Sequence, residues 1–455
     1  MPVLTAAQMR AAEQALFATG VPEYDVMERA GAAAAEIIWR AGGLRDALIL
    51  CGPGNNGGDG YVIARLLRAR GVPVRVAALG ASGTASSRRA RVAWDGPVEA
   101  LATAAPASQL IDALFGTGLS RGLDAALAAQ LGALVAAAGQ SFAIDLPSGV
   151  DTDSGALLSA VPRFDICIAL GALKPAHLLH PAAGRVARLV VADIGMAVTG
   201  DVHRLDPPRL AAPGPGDHKY TRGLVAVVGG AMPGAARLAA RAAARSGAGM
   251  VRLFALDGVV TGPDAMICNR AESAAAVTQA LDDRRIAAVL VGPGLGCDAL
   301  ARDRLRAAIA SGHRLVLDAD ALLAGEDIPP GAILTPHEGE FVRLFGDLPG
   351  SKIDRARRAA AHSGATVIYK GADSVIAAPD GRVAVAAGAS SWLSSAGTGD
   401  VLAGVVAGRL AVTGDAFRAA CEAVWLHGDA ARRAGAGLIA DDLPDALPAA
   451  IAARL

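Results

Sequence analysis

Short runs rich in valine, isoleucine and leucine alternate along this chain with longer stretches of alanine, arginine and leucine that have helical periodicity. Examples of the apolar runs are Ala47–Cys51, Val74–Ala78 and Leu224–Val228, and most such runs stop at a glycine or a polar residue. Continuous apolar runs of this length are typical of parallel strands covered by helices on both faces. The pattern therefore predicts the α/β fold class.

The length of 455 residues exceeds what one hydrophobic core usually organises. A segment rich in proline and glycine, residues 206–216, interrupts the alternation, which restarts at Leu224. Such a segment suits neither helix nor strand. We therefore predict two three-layer domains, residues 1–208 and 219–455, with residues 209–218 as the linker.

Charge and hydropathy limit the classes of partner. The 43 lysines and arginines balance the 43 aspartates and glutamates, so the composition predicts no general affinity for nucleic acid or an anionic membrane. Every apolar run is interrupted well before the roughly 18 residues that a membrane-spanning helix needs. The first residues lack the pattern of a signal peptide, and Thr5–Gln8 has the pattern of a helix capping box. We expect a cytoplasmic protein.

A glycine-rich segment, Gly52–Gly60, follows the first apolar run and precedes a helix predicted at Tyr61–Arg70. Backbone amides at a helix N-terminus bind anions, which favours a phosphate-bearing ligand. Gly52, Gly54 and Gly57 have the spacing of a dinucleotide fingerprint, but the acidic residue that should follow about 20 positions later is missing. This absence argues against an ordinary redox dehydrogenase.

Two further apolar runs of the first half also end in polar residues. Asp112 precedes the glycine-rich segment Gly116–Gly122, and Asp145 precedes a Pro-Ser-Gly turn that contains Ser148. A lone aspartate there would be read as a turn residue, but several polar strand ends in one domain favour a site with Asp145 as its acid/base group. The asparagine, aspartate and serine oxygens also suit a hard cation better than zinc.

These motifs resemble the YjeF N-terminal family, the NAD(P)H-hydrate epimerases, over residues 1 to about 205. The resemblance implies a Rossmann-like domain that binds the hydrated dinucleotide. The implied substrate-binding residues are Asn55, Asn56, Gly57, Gly58, Asp59, Gly116, Thr117, Gly118, Leu119, Ser120, Arg121, Gly122 and Asp145.

The same resemblance implies chemical roles. Asp145 would be the catalytic acid/base group for inversion at C6 of the nicotinamide ring, and a potassium ion, K+, would be held by Asn56, Asp112 and Ser148. The family often has a glycine after its Lys-Pro pair, whereas Ala176 follows Lys174 and Pro175 here. We therefore assign Lys174 no catalytic role from the sequence.

In the second half, the segment Ser394–Asp400 precedes a helix predicted at Val401–Leu410. Its glycine amides would face developing negative charge, and Asp400 would deprotonate a substrate hydroxyl as it attacks a phosphoryl group. An alternative is that Asp400 merely caps the helix. The P-loop signature is missing from the sequence, so that phosphate-binding device is excluded.

Other predicted strand ends of this half carry glycines and charges: Gly292–Gly296, Thr335–Glu340 and Lys370–Ser374. The segment Asp318–Asp320 either caps a helix or places acids near phosphates. His337 is predicted to belong to the site but not to a metal centre, because no second histidine follows at ligand spacing.

Residues 219–455 resemble the ribokinase-like NAD(P)H-hydrate dehydratase family, which couples removal of water from the hydrate to cleavage of ADP or ATP. The resemblance implies Mg2+ and favours ADP, as in bacterial members. It implies hydrate contacts by Ala236, Gly296, His337 and the catalytic Asp400. The implied nucleotide-binding residues are Lys370, Gly371, Ala372, Asp373, Ser374, Gly397 and Gly399.

Together the two resemblances predict a bifunctional enzyme that epimerises NAD(P)H hydrate and then dehydrates the S form, NADHX or NADPHX, with an adenine nucleotide. We expect a homo-oligomer. The alternative is a ribokinase-like kinase of a small vitamin-precursor alcohol with a non-catalytic N-terminal binding module, because the Gly-Thr-Gly-Asp segment serves that chemistry equally well. A redox dehydrogenase is a third, weaker interpretation.

Overall fold

The computed structural model describes residues 1–257 and 263–455, which divide into two compact units, Met1–His203 and Arg204–Leu455. Each unit consists of helices packed on a mainly parallel sheet, so the predicted α/β class is confirmed. In the described part of the chain, no helix is both long and apolar enough to cross a membrane.

The first unit has a parallel sheet with the strand order β3-β2-β1-β4-β5-β6-β7. Its strands are β1 (Ala47–Cys51), β2 (Val74–Ala78), β3 (Val98–Ala100), β4 (Gln109–Ala113), β5 (Gln140–Ile144), β6 (Phe164–Leu170) and β7 (Val186–Ala192), and β8 (Val202–Arg204) spans the division between the units. Strand order reverses between β1 and β4, and such switch points are where open α/β sheets bind ligands.

Helices cover both faces of this sheet because successive side chains of a strand point to opposite faces. Ile49 and Ile111 pack in one apolar cluster with α2 and α3, whereas Leu48 and Leu110 pack in another with α5. The helices are α1 (Ala6–Ala18), α2 (Glu23–Gly42), α3 (Asn55–Ala69), α4 (Ala85–Ala93) and α5 (Ala125–Ala137). The predicted capping box is present at Thr5 and Gln8.

The sheet of the second unit runs β11-β10-β9-β12-β13-β14-β15 in parallel and continues into the antiparallel β16 and β17. This antiparallel pair is a β-hairpin. The strands are β9 (Leu224–Val228), β10 (Met250–Ala255), β11 (Ile267–Arg270), β12 (Ile286–Val291), β13 (Leu315–Leu317), β14 (Ile333–Leu334), β15 (Thr366–Tyr369), β16 (Val375–Ala377) and β17 (Val383–Val385).

Helices also cover both faces of the second sheet. Ile368 packs in the large apolar cluster formed with α6, α11 and α12, whereas its neighbour Tyr369 stacks on Phe341 of α9, with ring centroids 4.0 Å apart. The helices are α6 (Pro233–Arg245), α7 (Ala274–Leu281), α8 (Ala299–Ala310), α9 (Glu338–Phe345), α10 (Lys352–Ser363), α11 (Thr398–Thr413), α12 (Ala416–Ala434) and α13 (Asp442–Ala452).

Two helices begin earlier than the sequence predicted. Helix α3 begins at Asn55 instead of Tyr61, and α11 begins at Thr398 instead of Val401. The glycines of α3 are tolerated in a helix because they allow close packing: a Cβ on Gly57 would lie 1.8 Å from the Gly52 carbonyl oxygen. The predicted loop residues Asn55–Gly60 therefore belong to α3, and the catalytic candidate Asp400 lies in the first turn of α11.

The close contact between α6 and α11 gives a stability prediction. A Cβ on Gly404 of α11 would lie 2.1 Å from the carbonyl oxygen of Ala239 in α6. We expect Gly404→Ala to lower the free energy of unfolding of the second unit by about 1–3 kcal/mol, because backbone must move. Calorimetry should detect the loss as a lower unfolding temperature.

Gly428→Ala in α12 is the matched control, because the nearest described atom to its Cβ would be Nη1 of Arg432, at 3.7 Å. It should be neutral or stabilising by about 0.4–1 kcal/mol, since alanine restricts the unfolded chain. Equal destabilisation by both substitutions would contradict the packing argument.

Candidate active sites

A cavity of about 580 Å³ lies at the switch point of the first sheet. The segments that follow β1, β4 and β5 contribute to its wall, with Asn56 and Asp59 from the first, Gly116–Arg121 from the second and Asp145 from the third. Apolar residues of α1 and α2, which include Met9 and Val26, complete the wall. The parallel sheet thus brings three of the sequence-predicted segments to one cavity.

The segment after β1 divides between the cavity and the core. Asn55, Asn56 and Asp59 line the cavity. Gly57 and Gly58 pack inside the unit, and a Cβ on Gly58 would lie 2.5 Å from Met27 Cε. Gly122 likewise packs against the Leu158 carbonyl oxygen, 2.1 Å from the position of a Cβ. The structure therefore explains these three glycines by packing.

The two asparagines differ in their contacts. The Asn55 side chain donates to Glu23 at 3.0 Å and accepts from Thr84 at 2.5 Å. The side-chain nitrogen of Asn56 is buried and has no hydrogen-bond partner among the residues that the structure describes. Buried polar atoms are normally paired, so the Asn56 N–H group is available to donate a hydrogen bond to a ligand.

Asp145 is held in a strained conformation at the end of β5. Its φ of +65° lies in the left-handed region that non-glycine residues seldom adopt. Its Oδ2 accepts hydrogen bonds from the backbone N–H of Thr117 at 2.8 Å and from the Thr117 hydroxyl at 2.7 Å. Strain of this kind concentrates at functional sites, where surrounding contacts fix it.

Lys174 contacts the other oxygen of Asp145. Its Nζ lies 2.5 Å from Asp145 Oδ1 and donates to the Leu170 carbonyl at 2.8 Å. The side chains of Lys174 and Asp145 are 1% and 9% exposed. A second group supports this pair: His177 accepts the Lys174 backbone N–H at Nδ1, so its Nε2 carries the proton that bonds to the Asp145 carbonyl at 2.6 Å.

Burial and the contacts of Asp145 shift the pKa values of the acids in the cavity in opposite directions. Burial opposes ionisation of Asp145, but the Lys174 ammonium and the hydrogen bonds lower its pKa to about 2. Burial, together with the Asp145 charge, raises the pKa of Asp59 well above its usual range and also raises that of Glu13. Burial lowers the pKa of His177 to about 4, so its ring is neutral near neutral pH. The Asp145 carboxylate is thus ionised beside the buried Lys174 ammonium.

The predicted cation ligands Asp112 and Ser148 lie together beneath the same strand ends. Asp112 is fully buried, and its oxygens accept from the Leu114 N–H at 3.1 Å, the Ser148 N–H at 3.0 Å and the Ser148 hydroxyl at 2.8 Å. Burial raises the pKa of Asp112 to about 6. Oxygen donors of this kind fit a hard monovalent cation, which would offset the buried carboxylate.

The second site gathers residues from the carboxyl ends of β13, β14 and β15. Lys370 Nζ lies 3.0 Å from Asp318 Oδ1 and 3.8 Å from Glu340 Oε2. The Thr335 hydroxyl donates to the same Asp318 oxygen at 2.5 Å. The segment Asp318–Asp320 thus places acids beside the predicted nucleotide loop, which was one of its two sequence interpretations.

Gly397, Gly399 and Asp400 form the start of α11. Gly397 is the N-cap, with a φ of +85°, and Asp400 lies in the first turn. The alternative reading of Asp400 as the helix cap is therefore wrong. Burial and the Asp318 charge raise the pKa of Asp400 to about 6, against the opposing effect of Lys370. A base with a pKa near neutrality is suited to general base catalysis.

The remaining predicted residues of this unit have local structural contacts. His337 is the N-cap of α9, and its Nδ1 accepts the N–H of Gly339 at 3.0 Å. The Gly296 N–H donates to Asp320 Oδ2 at 2.9 Å, and Ala236 is buried in α6. Because the His337 ring is exposed, its position allows contact with a ligand as well as capping.

The loop after β15 is closed by its own contacts. Ser374 donates to the Gly371 carbonyl at 2.9 Å and accepts the Gly371 N–H at 3.2 Å, with Ala372 and Asp373 between them. Asp373 accepts from Lys352 Nζ at 2.6 Å. A Cβ on Gly399 would lie 3.6 Å from Lys370 Nζ, so this loop and the first turn of α11 meet at Lys370.

Two residues lie at the centres of these sites although sequence reasoning assigned no role to Lys174 and left the role of Asp318 open between a helix cap and an acid near phosphates. Both had a visible signal, because Lys174 belongs to a Lys-Pro pair and Asp318 directly follows an apolar run. Neither signal names a partner. The contacts with Asp145 and Lys370 depend on which strands are neighbours in the sheet.

The buried pair in the first cavity gives a second prediction. Lys174→Met should lower the free energy of unfolding of the first unit by roughly 3–5 kcal/mol, because Asp145 would remain buried without its cation. Adding Asp145→Asn should recover much of this loss, since a neutral amide costs less to bury. Urea denaturation of the single and double variants measures the coupling, and strictly additive losses would contradict it.

Both halves of the chain match family models. The model described as "NAD(P)H-hydrate dehydratase" matches residues 225–452, and the one described as "YjeF-related protein N-terminus" matches residues 23–176. Both resemblances inferred from the motifs are thus confirmed.

Curated relatives match nearly the whole chain. The bifunctional NAD(P)H-hydrate repair enzyme of Mycobacterium tuberculosis is 34% identical over 427 residues, covering 89% of this chain and 88% of the relative. The enzyme of the same name from Salinibacter ruber is 34% identical over 525 residues, covering 100% of this chain and 96% of the relative.

The fold of the second unit also has a solved counterpart. A ribokinase-like superfamily protein from Enterococcus faecalis, 23% identical, matches with a TM-score of 0.50 and covers 57% of this chain and 98% of that protein. This likeness concerns the fold alone. On the whole-length sequence matches and both family models, the chain belongs to the family of bifunctional NAD(P)H-hydrate repair enzymes.

Proposed function

We propose that the chain repairs hydrated nicotinamide nucleotides in two steps. The first unit interconverts the R and S epimers of NAD(P)H hydrate, and the second removes water from the S form with cleavage of ADP or ATP. The names of the relatives support this function. The observation that carries it is the pair of acid-bearing sites, one per unit, with Asp145 in a dinucleotide-sized cavity and Asp400 at a helix N-terminus.

In the first site, the charges of Asp145 and Lys174 suit proton transfer. Inversion at C6 requires that a bond to this carbon break and form again on the opposite face. The bond that breaks is the ring bond C6–N1: the Asp145 carboxylate, ionised at neutral pH, accepts the proton of the C6 hydroxyl, the O–H electron pair forms a C6=O carbonyl, and the C6–N1 electron pair stays on N1. N1 then attacks the opposite face of the carbonyl and Asp145 returns the proton to the oxygen, so the step has no net proton change. Lys174 keeps the carboxylate ionised and oriented.

A potassium ion would be held by Asn56, Asp112 and Ser148. The oxygen atoms of Asp112 and Ser148, which lie together beneath the strand ends, support this assignment, and Asn56 would bind the ion through its side-chain oxygen. When bound, the ion supplies positive charge beside an anionic nucleotide.

In the second site, Asp400 accepts the proton of the C6 hydroxyl while the hydroxyl oxygen attacks the terminal phosphorus of the nucleotide. The phosphoanhydride bond breaks and the shortened nucleotide leaves. The C6–O bond then breaks and phosphate leaves with its electron pair, while the neighbouring ring carbon loses a proton and the double bond that forms between the two carbons restores NAD(P)H. The amides of Gly397–Gly399 and Lys370 would stabilise the phosphoryl charge, and Mg2+ would assist, as phosphoryl transfer normally requires.

The repair reaction predicts different losses in the two units. With both epimers and ADP or ATP, the wild type should recover all the reduced-nicotinamide absorbance. With Asp145→Asn, the recovered absorbance should stop near the fraction of the hydrate that was present as the S epimer, apart from slow spontaneous epimerisation. Asp400→Asn should lower the dehydration rate by roughly 10²–10⁴-fold. The exposed Asp95→Asn is the control and should behave as wild type.

No recovery by the wild type with either nucleotide would overturn the repair function. A stable phosphorylated product from a small vitamin-precursor alcohol would instead favour the kinase alternative. Parallel assays with NADHX and NADPHX, and with ADP and ATP, identify the preferred substrates in the same experiment.

The cation assignment has a test that does not depend on activity. Replacing sodium by potassium at constant ionic strength should raise the unfolding temperature of the first unit, because an ion that binds only the folded state stabilises it. Asp112→Asn should abolish this difference, whereas Asp95→Asn should retain it. An unchanged potassium effect in Asp112→Asn would exclude the proposed ligand set.

A further inference from the structure

Asp318 is a buried acid of the second site with one unsatisfied oxygen. Its side chain is 1% exposed, and its Oδ2 has no hydrogen-bond partner among residues 1–257 and 263–455. A buried carboxylate oxygen without a partner is costly. An aspartate that served only the stability of the fold would be expected to use both oxygens, so this arrangement points to a functional constraint.

The backbone around Asp318 is also constrained. Ala319 has a φ of +47°, in the left-handed region that alanine seldom adopts. The Asp318 carbonyl oxygen lies against Gly292, 1.8 Å from the position of a Cβ, and Asp320 binds the Gly296 N–H. The strained segment therefore fixes the Asp318 carboxylate relative to the glycine-rich loop after β12.

Asp318 in turn fixes Lys370. The carboxylate is oriented by the Thr335 hydroxyl and binds Lys370 Nζ at 3.0 Å. Lys370 Nζ lies within 3.6 Å of the position that a Cβ on Gly399 would take. The ammonium is thus placed at the first turn of α11, whose amide groups favour a phosphate group.

We propose that Asp318 is a positioning residue for nucleotide binding: it holds the Lys370 ammonium beside the first turn of α11 and away from Asp400. This inference rests on the proposed function of the second site. It assigns Asp318 no contact with the reacting atoms, and its effect passes through Lys370.

The charges around Asp400 define the expected pH effect. Lys370 acts on Asp400 from β15, and Asp318 and Asp320 act on it from the segment after β13. Glu340 of α9 acts on Lys370. The Lys370 charge also acts on His427 of α12, but burial lowers the pKa of His427 to about 4, so the His427 ring is neutral near neutral pH. Without the Asp318 charge, Asp400 loses a like charge and gains access to Lys370, and both changes favour its ionised form.

The test uses the full chain and two readouts. Asp318→Asn should weaken ADP or ATP binding by roughly tenfold or more, the size of one lost charge-assisted hydrogen bond, as measured by titration calorimetry. It should also move the acidic limb of the pH profile of the dehydration rate to lower pH, because the pKa of Asp400 falls. A merely structural ion pair would lower stability and leave nucleotide affinity unchanged.

Asp320→Asn is the matched control on the same segment. It also removes a carboxylate that acts on Asp400, but Lys370 keeps its partner, so the acidic limb should move while nucleotide affinity stays at the wild-type value. Equal weakening of nucleotide binding by both variants would overturn the proposal. So would an Asp318→Asn protein with wild-type nucleotide affinity.

Two further variants keep the inference testable if the Asp318→Asn protein does not fold. Thr335→Val removes the hydroxyl that orients Asp318 and should weaken nucleotide binding in the same direction but less. Lys370→Met with Asp318→Asn should bind nucleotide no more weakly than Lys370→Met alone, because Asp318 acts through Lys370. Nucleotide affinity does not require hydrate turnover, so failure of the repair reaction and failure of this inference are distinguishable.

Discussion

A carboxylate at the end of a buried strand loses its hydration, and it stays ionised only where a cation or hydrogen-bond donors replace the water. Both units solve this problem with a lysine, which pairs with Asp145 in the first and with Asp318 in the second. In each case the lysine follows a later strand of the same parallel sheet. The ion pair can therefore form only when the strands have assembled in the observed order, and the site depends directly on the fold.

The two catalytic candidates differ in how fully they are compensated. Asp145 has a lysine and two Thr117 donors, and its pKa falls to about 2. Asp400 has no such direct cation contact among the described residues, faces the Asp318 charge, and has a pKa raised to about 6. Asp145 is a weak base that stays ionised at neutral pH, which suits a reversible inversion. Asp400 is a stronger base near neutrality, which suits attack of a hydroxyl on phosphorus.

The sequence predicted the strands best where an apolar run is continuous. Ala47–Cys51 and Leu224–Val228 were located to the residue, because strands buried on both faces need apolar side chains throughout. Met250–Ala255, which contains Arg252 and is only partly buried, was missed. The early start of α3 could not be predicted from glycine propensity, which disfavours helix. Close packing of these glycines against Gly52 and Met27 of the same unit outweighs that propensity, and this packing is a tertiary effect.

The same distinction limits what a glycine-rich motif reveals about a site. Gly57 and Gly58 belong to a segment that faces a ligand cavity, yet their missing side chains make room for the Gly52 carbonyl and for Met27. A glycine that admits a ligand and a glycine that admits the protein's own backbone look identical in sequence. Charged strand ends are more informative, because burial obliges them to find a partner. Sequence therefore identifies the acid at a site more readily than the partner, since the partner is chosen by strand order.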